Sequence, residues 1–233
     1  VQSLLQAVLH VDRAFLLTHP EQAPGDEQLS RYTALLERRL NGEPIAYLLV
    51  SREFYGLNFK VSPATLIPRP ETELLVELAL QRIPASLSPL TLDVTTSHST
   101  RLPKDGSQVA GYAGEGGRQA GRGKKFRVLD LGTGSGAIAL SIAHAQPDVE
   151  VVAVDASVAA LEVARENAQR LNIGNVRLLR SDWFSALRGE HFDLIVSNPP
   201  YVAANDAHLA QGDLRFEPRA ALASGADGLD DIR

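Results

Sequence analysis

The sequence predicts an α/β fold: a parallel β-sheet covered by helices, preceded by a small helical domain and a β-hairpin. Three observations carry this. From Arg127 onward, short apolar runs alternate with amphipathic helical stretches. Residues 1 to about 42 show only helical spacing, and a loosely alternating, aromatic-rich stretch lies between. Apolar strands alternating with helices imply parallel pairing with both sheet faces buried.

Along the chain, Leu4, Leu5, Val8 and Leu9 recur at helical spacing, as do Leu29, Tyr32, Leu35, Leu36 and Leu40, with a break from Pro20 to Gly25. Residues 1–50 are expected as a small helical domain, not obviously catalytic. Glu53 to Ile67 holds Phe54, Tyr55, Phe59 and Val61 and predicts a hairpin turning near Gly56-Leu57-Asn58, within a linker over 51–70. Pro70, Glu71 and Glu73 then open a helix, with proline at its start and acids in its first turn. Residues 71–233 are expected as the main domain, interrupted at 86–125 by a Ser-, Thr- and Gly-rich stretch without apolar periodicity. That stretch reads as a disordered insert.

The remaining elements follow in order: a strand over Val128 to Leu131, a helix over Ala137 to Ala145, and a strand over Val149 to Val154. A helix over Ser157 to Leu171 comes next, with Val158, Leu161, Ala164, Ala168 and Leu171 on one face and Gly174 as its stop. Strands over Val176 to Leu179 and Phe192 to Val196 complete the pattern. The chain opens mid-pattern without methionine and closes on what looks like a first helical turn, so it is expected to be a fragment lacking both ends, with the sheet truncated C-terminally.

Composition excludes several classes. At 44% hydrophobic residues the chain can bury a core, and a formal charge of −5 argues against nonspecific nucleic-acid binding. The absence of cysteine removes disulfides, thiolate metal sites and cysteine nucleophiles. The six histidines lack metal-ligand spacing, so no metal is expected. No apolar stretch is long enough to span a bilayer and no signal peptide is evident, which makes a cytoplasmic location the expectation.

The chemistry is concentrated at strand ends. Asp130-Leu131-Gly132-Thr133-Gly134-Ser135-Gly136 joins the first strand to the first helix, where glycines let the backbone turn tightly and approach a ligand, and the helix start offers free N–H groups. Alone it fits a dinucleotide site as well. Asp155 ends the second strand; its carboxylate suits two ribose hydroxyls or, equally, a helix cap. Asp182-Trp183 follows the third strand and suits an adenine, the acid accepting from the exocyclic amine and the ring packing beside it; a capping acid and a core tryptophan are the bland alternative. After the fourth strand comes Asn198-Pro199-Pro200-Tyr201. The prolines stiffen the backbone, leaving the Asn198 oxygen and the Pro199 carbonyl as two fixed acceptors for an –NH2 group, with Tyr201 as a wall. A dehydrogenase has no use for this last element.

Together these residues resemble the class I S-adenosylmethionine-dependent methyltransferases, with a Rossmann-like sheet, that act on amino or amide nitrogens. Asn41 to Leu48, Arg52-Glu53-Phe54, Pro63 to Glu73, Ser181 to Phe184 and Arg215-Phe216-Glu217-Pro218 narrow the resemblance to the peptide chain release factor glutamine methyltransferases of the PrmC/HemK family. The resemblance implies S-adenosylmethionine as cofactor and methylation of the glutamine in the Gly-Gly-Gln loop of release factors. It implies cofactor binding by Asp130, Gly132, Thr133, Gly134, Ser135, Gly136, Asp155, Asp182, Trp183 and Asn198, and catalysis at Asn198, Pro199, Pro200 and Tyr201. Peptide chain release factors are the expected partners, without direct nucleic-acid or membrane contact. Two rivals stand beside this reading: a nucleic-acid adenine or guanine amino methyltransferase, and a noncatalytic fragment that only binds a release factor. Arg69-Pro70 is a candidate for lining the cofactor site, and Asp213 and Glu217 either brace the substrate loop or lie on the surface.

Overall fold

The computed structural model describes residues 2–84 and 125–233. The insert expected at 86–125 lies outside the described residues, Lys125 excepted.

Four helices open the chain: α1 (Gln2–Leu9), α2 (Arg13–Thr18), α3 (Asp26–Leu40) and α4 (Ile45–Leu49). Leu4 and Val8, one turn apart on α1, are fully buried, whereas α3 buries no residue completely. On α3 the expected stripe is only partly used: Tyr32, Leu35 and Leu36 are half-buried while Leu29 and Leu40 face solvent.

The hairpin pairs β1 (Ser51–Phe54) with β2 (Leu57–Lys60), and Phe54 sits opposite Leu57, so the turn holds only Tyr55 and Gly56. Both have positive φ, +50° and +72°, the signature of a two-residue turn whose twist matches the strands. The turn thus falls one residue earlier than the glycine alone suggests, because Tyr55 accepts a left-handed conformation. Carboxylates stabilise it: Glu53 accepts from the Gly56 amide at 2.7 Å and Glu73 from the Tyr55 amide at 3.0 Å. Glu73 opens α5 (Glu73–Arg82), so it ties that helix to the hairpin instead of only meeting the helix dipole.

The main sheet has four parallel strands in the order β5-β4-β3-β6: β3 (Arg127–Leu131), β4 (Glu150–Asp155), β5 (Val176–Arg180) and β6 (Leu194–Ser197). Helices α6 (Ala137–Ala145) and α7 (Val158–Arg170) make the first two of three crossovers, β3 to β4 and β4 to β5. Both crossovers run in the same direction along the sheet, and right-handed connections then put both helices on one face. The burial agrees. Val128, Val151, Ala153 and Val196 pack with residues of α5, α6 and α7, whereas Leu129, Leu131, Val152 and Val154 on the opposite face pack with Leu187, Trp183 and Phe192. Both faces are therefore buried, as expected, and among the described residues the second face is covered by the connection between β5 and β6.

Helix α7 also departs in detail. Val158 is exposed at its first position, and the helix is stopped by Asn172, at φ +54°, not by Gly174. The Asn172 amide donates to the Gln169 carbonyl at 3.1 Å and the Ile173 amide to Ala168 at 2.9 Å, and Ile173 and Ala168 share the core. These are the paired bonds of a Schellman ending, for which asparagine substitutes for glycine.

One buried side chain joins hairpin and sheet. Asn167 on α7 is fully buried; its Oδ1 accepts from the Lys60 amide at 2.7 Å, and its Nδ2 donates to the Lys60 and Ser135 carbonyls, each at 2.9 Å. Asp130, inside β3, is the other buried polar group of note. Desolvation pushes its carboxyl up from the ordinary 3.8 to about 7, opposed chiefly by the hydrogen bond that its Oδ2 accepts from the Thr133 hydroxyl (2.7 Å), while Oδ1 is buried with no hydrogen-bond partner among the described residues. Among the described residues no helix is long and apolar enough to cross a membrane, and no cluster of His, Asp or Glu could hold a metal ion.

Two outcomes follow. Asn167→Ala leaves the Lys60 amide and two carbonyls without their partner and should cost roughly 2–4 kcal/mol, read by urea unfolding. For Asp130, the folded state holds a proton that the unfolded chain releases between 3.8 and about 7, so stability falls as pH rises through that window. Asp130→Asn removes this loss; its melting temperature should gain on the parent from pH about 4 to about 7, and a constant difference would contradict the assignment.

Candidate functional site

The strand ends that carry the motifs open onto one cavity of about 490 Å³, inside the roughly 300–1,000 Å³ range of small-molecule sites. The loop after β3 forms its floor. The Gly132 and Thr133 amides both donate to the Val154 carbonyl at 2.9 Å, which anchors the loop to the end of β4. Gly132 and Gly134 have φ of +73° and +57°, and no atom lies within 4 Å of where a Cβ would stand. Backbone conformation therefore favours glycine there, and the open space beside it can take a ligand. Gly136 differs: a Cβ would meet Leu140 at 2.9 Å, so its role is close packing of α6.

The predicted residues divide. Gly132, Thr133, Gly134, Ser135, Asp155, Asp182, Trp183, Asn198 and Pro200 line the cavity. Asp130, Gly136, Pro199 and Tyr201 do not. Asp130 is sealed beneath the loop, where it accepts from Thr133, so it shapes the loop instead of forming the wall. Tyr201 is 64% exposed outside the cavity; the expected aromatic wall is not made by its ring.

Asp155 receives the Gly134 amide on one oxygen at 2.9 Å and the Ser157 amide on the other at 2.8 Å. The cap of α7 is Ser157, whose hydroxyl accepts from the Ala160 amide at 3.2 Å, so Asp155 is not that cap. A carboxylate has about four acceptor positions, so two remain unused on a residue that lines the cavity. After β5, Ser181 organises a tight loop: its hydroxyl donates to the Trp183 carbonyl at 2.7 Å and accepts from the Ala186 amide at 3.1 Å. Trp183 takes a positive φ of +47°, uncommon for a bulky residue. That strain at a cavity wall turns the indole so that it both lines the cavity and packs on the second sheet face.

After β6, the Ser197 hydroxyl donates to the Leu131 carbonyl at 2.9 Å, holding Asn198 over the end of β3. The Asn198 amide nitrogen lies 3.5 Å from the Thr72 hydroxyl. No described donor reaches the Pro199 carbonyl.

Of the opposite wall, only Arg69 was expected from sequence, and its neighbour Pro70 does not line the cavity. Phe54, Thr65, Arg69 and Thr72 come from the hairpin and linker, and Pro218, Ala221 and Asp231 from the last stretch of chain. Two halves of this wall meet at Glu217. Its side chain is completely buried, accepts from the Ile67 amide at 2.9 Å and pairs with the Arg69 guanidinium. Glu217 therefore braces the site, and of the two roles left open the surface one is excluded. Asp213 is half-exposed and pairs with Arg39 of α3 at 3.2 Å. Tyr47 of α4 donates to the Thr65 carbonyl at 2.7 Å, and its hydroxyl is held protonated far above its usual range by burial and then by the nearby Glu217 charge.

Known proteins are similar to this chain in sequence. A family model described as the PrmC N-terminal domain matches residues 1–49, and one described as the methyltransferase small domain matches residues 119–224. A release factor glutamine methyltransferase of Escherichia coli strain K12 is 45% identical over 229 residues, which is 98% of this chain and 69% of that protein. The protein of that name from Xylella fastidiosa strain 9a5c is 45% identical over 232 residues, all of this chain and 71% of the relative. Its namesake in Burkholderia pseudomallei strain K96243 is 46% identical over 236 residues, covering 99% of this chain and 70% of the relative. The chain belongs to the family of release factor glutamine methyltransferases.

Proposed function

We propose that this chain transfers a methyl group from S-adenosylmethionine to the side-chain nitrogen of the glutamine in the Gly-Gly-Gln loop of peptide chain release factors. The observation that carries it is the convergence of Asn198 with the glycine loop, Asp155 and Trp183 on one cavity.

The cavity's features suit the cofactor. The glycines at 132 and 134 leave open space beside the backbone, Asp155 keeps acceptor capacity for ribose hydroxyls, and Asp182 with Trp183 offers an acceptor and a ring edge for adenine. S-adenosylmethionine, when bound, supplies a methyl group already activated on a sulfonium. The chain's own task is orientation. An amide nitrogen is a poor nucleophile because its lone pair is delocalised into the carbonyl. Asn198 Oδ1 and the Pro199 carbonyl, which lies on the backbone between the cavity-lining Asn198 and Pro200, accept its two hydrogens, aim the nitrogen and favour partial positive charge on it. The alkylated nitrogen is strongly acidic and releases its proton readily, so no strong base is required. We place the reaction in the cytoplasm, where release factors work.

The test is incubation with radiolabelled S-adenosylmethionine and unmethylated release factor, beside a release factor with alanine in place of the loop glutamine and beside duplex DNA. Label is expected on the unaltered release factor alone; label on DNA would move the assignment to nucleic acid. In the same assay Asn198→Ala should lower turnover at least a hundredfold while the affinity for S-adenosylmethionine, read by calorimetry, changes little. Near-normal turnover would refute the role of Asn198.

A further inference from the structure

We propose that Thr72 is a positioning residue whose hydroxyl fixes which way the Asn198 amide faces. This rests on the reading of Asn198 as the acceptor for the substrate nitrogen.

An asparagine amide has nearly the same shape after a half-turn, but the turn exchanges an acceptor for a donor. Only one orientation, with Oδ1 toward the incoming –NH2, is useful; the other presents two hydrogens to two hydrogens. Something outside Asn198 must choose. The Asn198 Nδ2 lies 3.5 Å from Thr72 Oγ1 in a half-buried setting, and both residues line the cavity. The distance is long for a hydrogen bond, as such contacts often are before substrate arrives.

Thr72 also stands where its hydroxyl would ordinarily do something else. It occupies the N-cap position of α5, where threonine usually accepts from a backbone amide of the first turn. Here it makes no such bond, because a 3-10 turn over Pro70–Thr72 leads straight into the helix and leaves Thr72 itself helical, with φ −72° and ψ −16°. The hydroxyl is thereby released toward Asn198.

Its position is built, not incidental. The Thr72 amide donates to the Arg69 carbonyl at 3.0 Å, and Arg69 and Ile67 are both held by the buried Glu217 carboxylate. On the other side Glu73 is bound to the Tyr55 amide. The turn carrying Thr72 is therefore fixed from both neighbours. When Oδ1 engages the substrate, Nδ2 points at Thr72, whose oxygen has lone pairs to accept it.

The test compares Thr72→Val, which keeps the shape and removes the hydroxyl, with Thr72→Ser, which keeps the hydroxyl; Thr72→Ala is the second removal variant should valine fail to fold. Methyl transfer to release factor is measured together with S-adenosylmethionine affinity. The valine variant should lose about tenfold in kcat with affinity for the cofactor unchanged, and serine should restore most of it. A second readout needs no turnover: hydrogen exchange of the Asn198 side-chain NH2, assigned in an ¹⁵N spectrum by its absence in Asn198→Ala, should quicken about tenfold in Thr72→Val and not in Thr72→Ser. Unchanged kcat and unchanged exchange in the valine variant would overturn the proposal. So would a serine variant as impaired as valine, or a valine variant whose loss lies in cofactor affinity. An inactive parent chain would count against the proposed function, while the exchange measurement still decides the role of Thr72.

Discussion

The site depends on how the linker is held to the sheet, and Asn167 does this with one side chain. The hairpin is two short strands with no sheet of its own beyond them, and a lone hairpin is at best marginally stable in water. Asn167 supplies what a neighbouring strand would supply, accepting from the Lys60 amide and donating to its carbonyl. Its remaining hydrogen goes to the Ser135 carbonyl, inside the glycine loop. Hairpin and loop are thus fixed by the same amide group, without any strand pairing between them. Because every polar atom of Asn167 is engaged, its burial costs little, whereas losing any one bond strands a partner in the interior. The Lys60 ammonium adds a bond to Glu166 at 2.6 Å, but at a partly exposed position where ion pairs contribute little.

Glu217 does the matching work on the other side of the cavity. A carboxylate with no exposure is tolerable only when paired and hydrogen-bonded, and both conditions are met by Arg69 and the Ile67 amide. The stretch leading to it is fastened to the helical region as well: Arg215 donates to the Asn41 carbonyl at 2.6 Å, and Asp213 pairs with Arg39. Gly42 makes this approach possible. Its φ is +92°, and any Cβ there would lie 2.0 Å from the Arg215 guanidinium. Contacts over about 150 to 174 residues of sequence therefore bring the end of α3, the linker and the chain after Asn198 to one place.

What the sequence made legible follows from range. Glycine loop, Asp155, Asp182-Trp183 and Asn198 each sit at the end of a strand, and strands announce themselves by apolar runs; their convergence needs only the rule that parallel strands open their ends on one side. Turn and cap details were less legible, since Tyr55 and Asn172 take left-handed conformations more often assigned to glycine. Apolar strands made it legible that both sheet faces are buried, but not that the connection between β5 and β6 buries the second one. Least legible were Thr65 and Thr72 in the opposite wall and the burial of Glu217 behind it. Nothing in local pattern distinguishes a buried glutamate bound to an amide 150 residues away from a surface one.

The two halves of the cavity are consequently built on different physics. The half around the glycine loop is formed by short-range backbone geometry on a rigid sheet, so its shape is set once the strands pair. The half that faces Asn198 from the linker has no sheet beneath it and is set by buried polar bonds between distant segments. Hydrophobic burial alone would tolerate small shifts of the linker, because apolar contacts have no direction. Hydrogen bonds to Asn167, Glu73 and Glu217 do have direction, and each is made to linker backbone: Lys60, Tyr55 and Ile67. Three fixed points along the linker define its path independently of its side chains. A reaction that depends on aiming one nitrogen requires that kind of restraint at the wall opposite Asn198, and it explains why polar groups are buried where an apolar seam would have been simpler to fold.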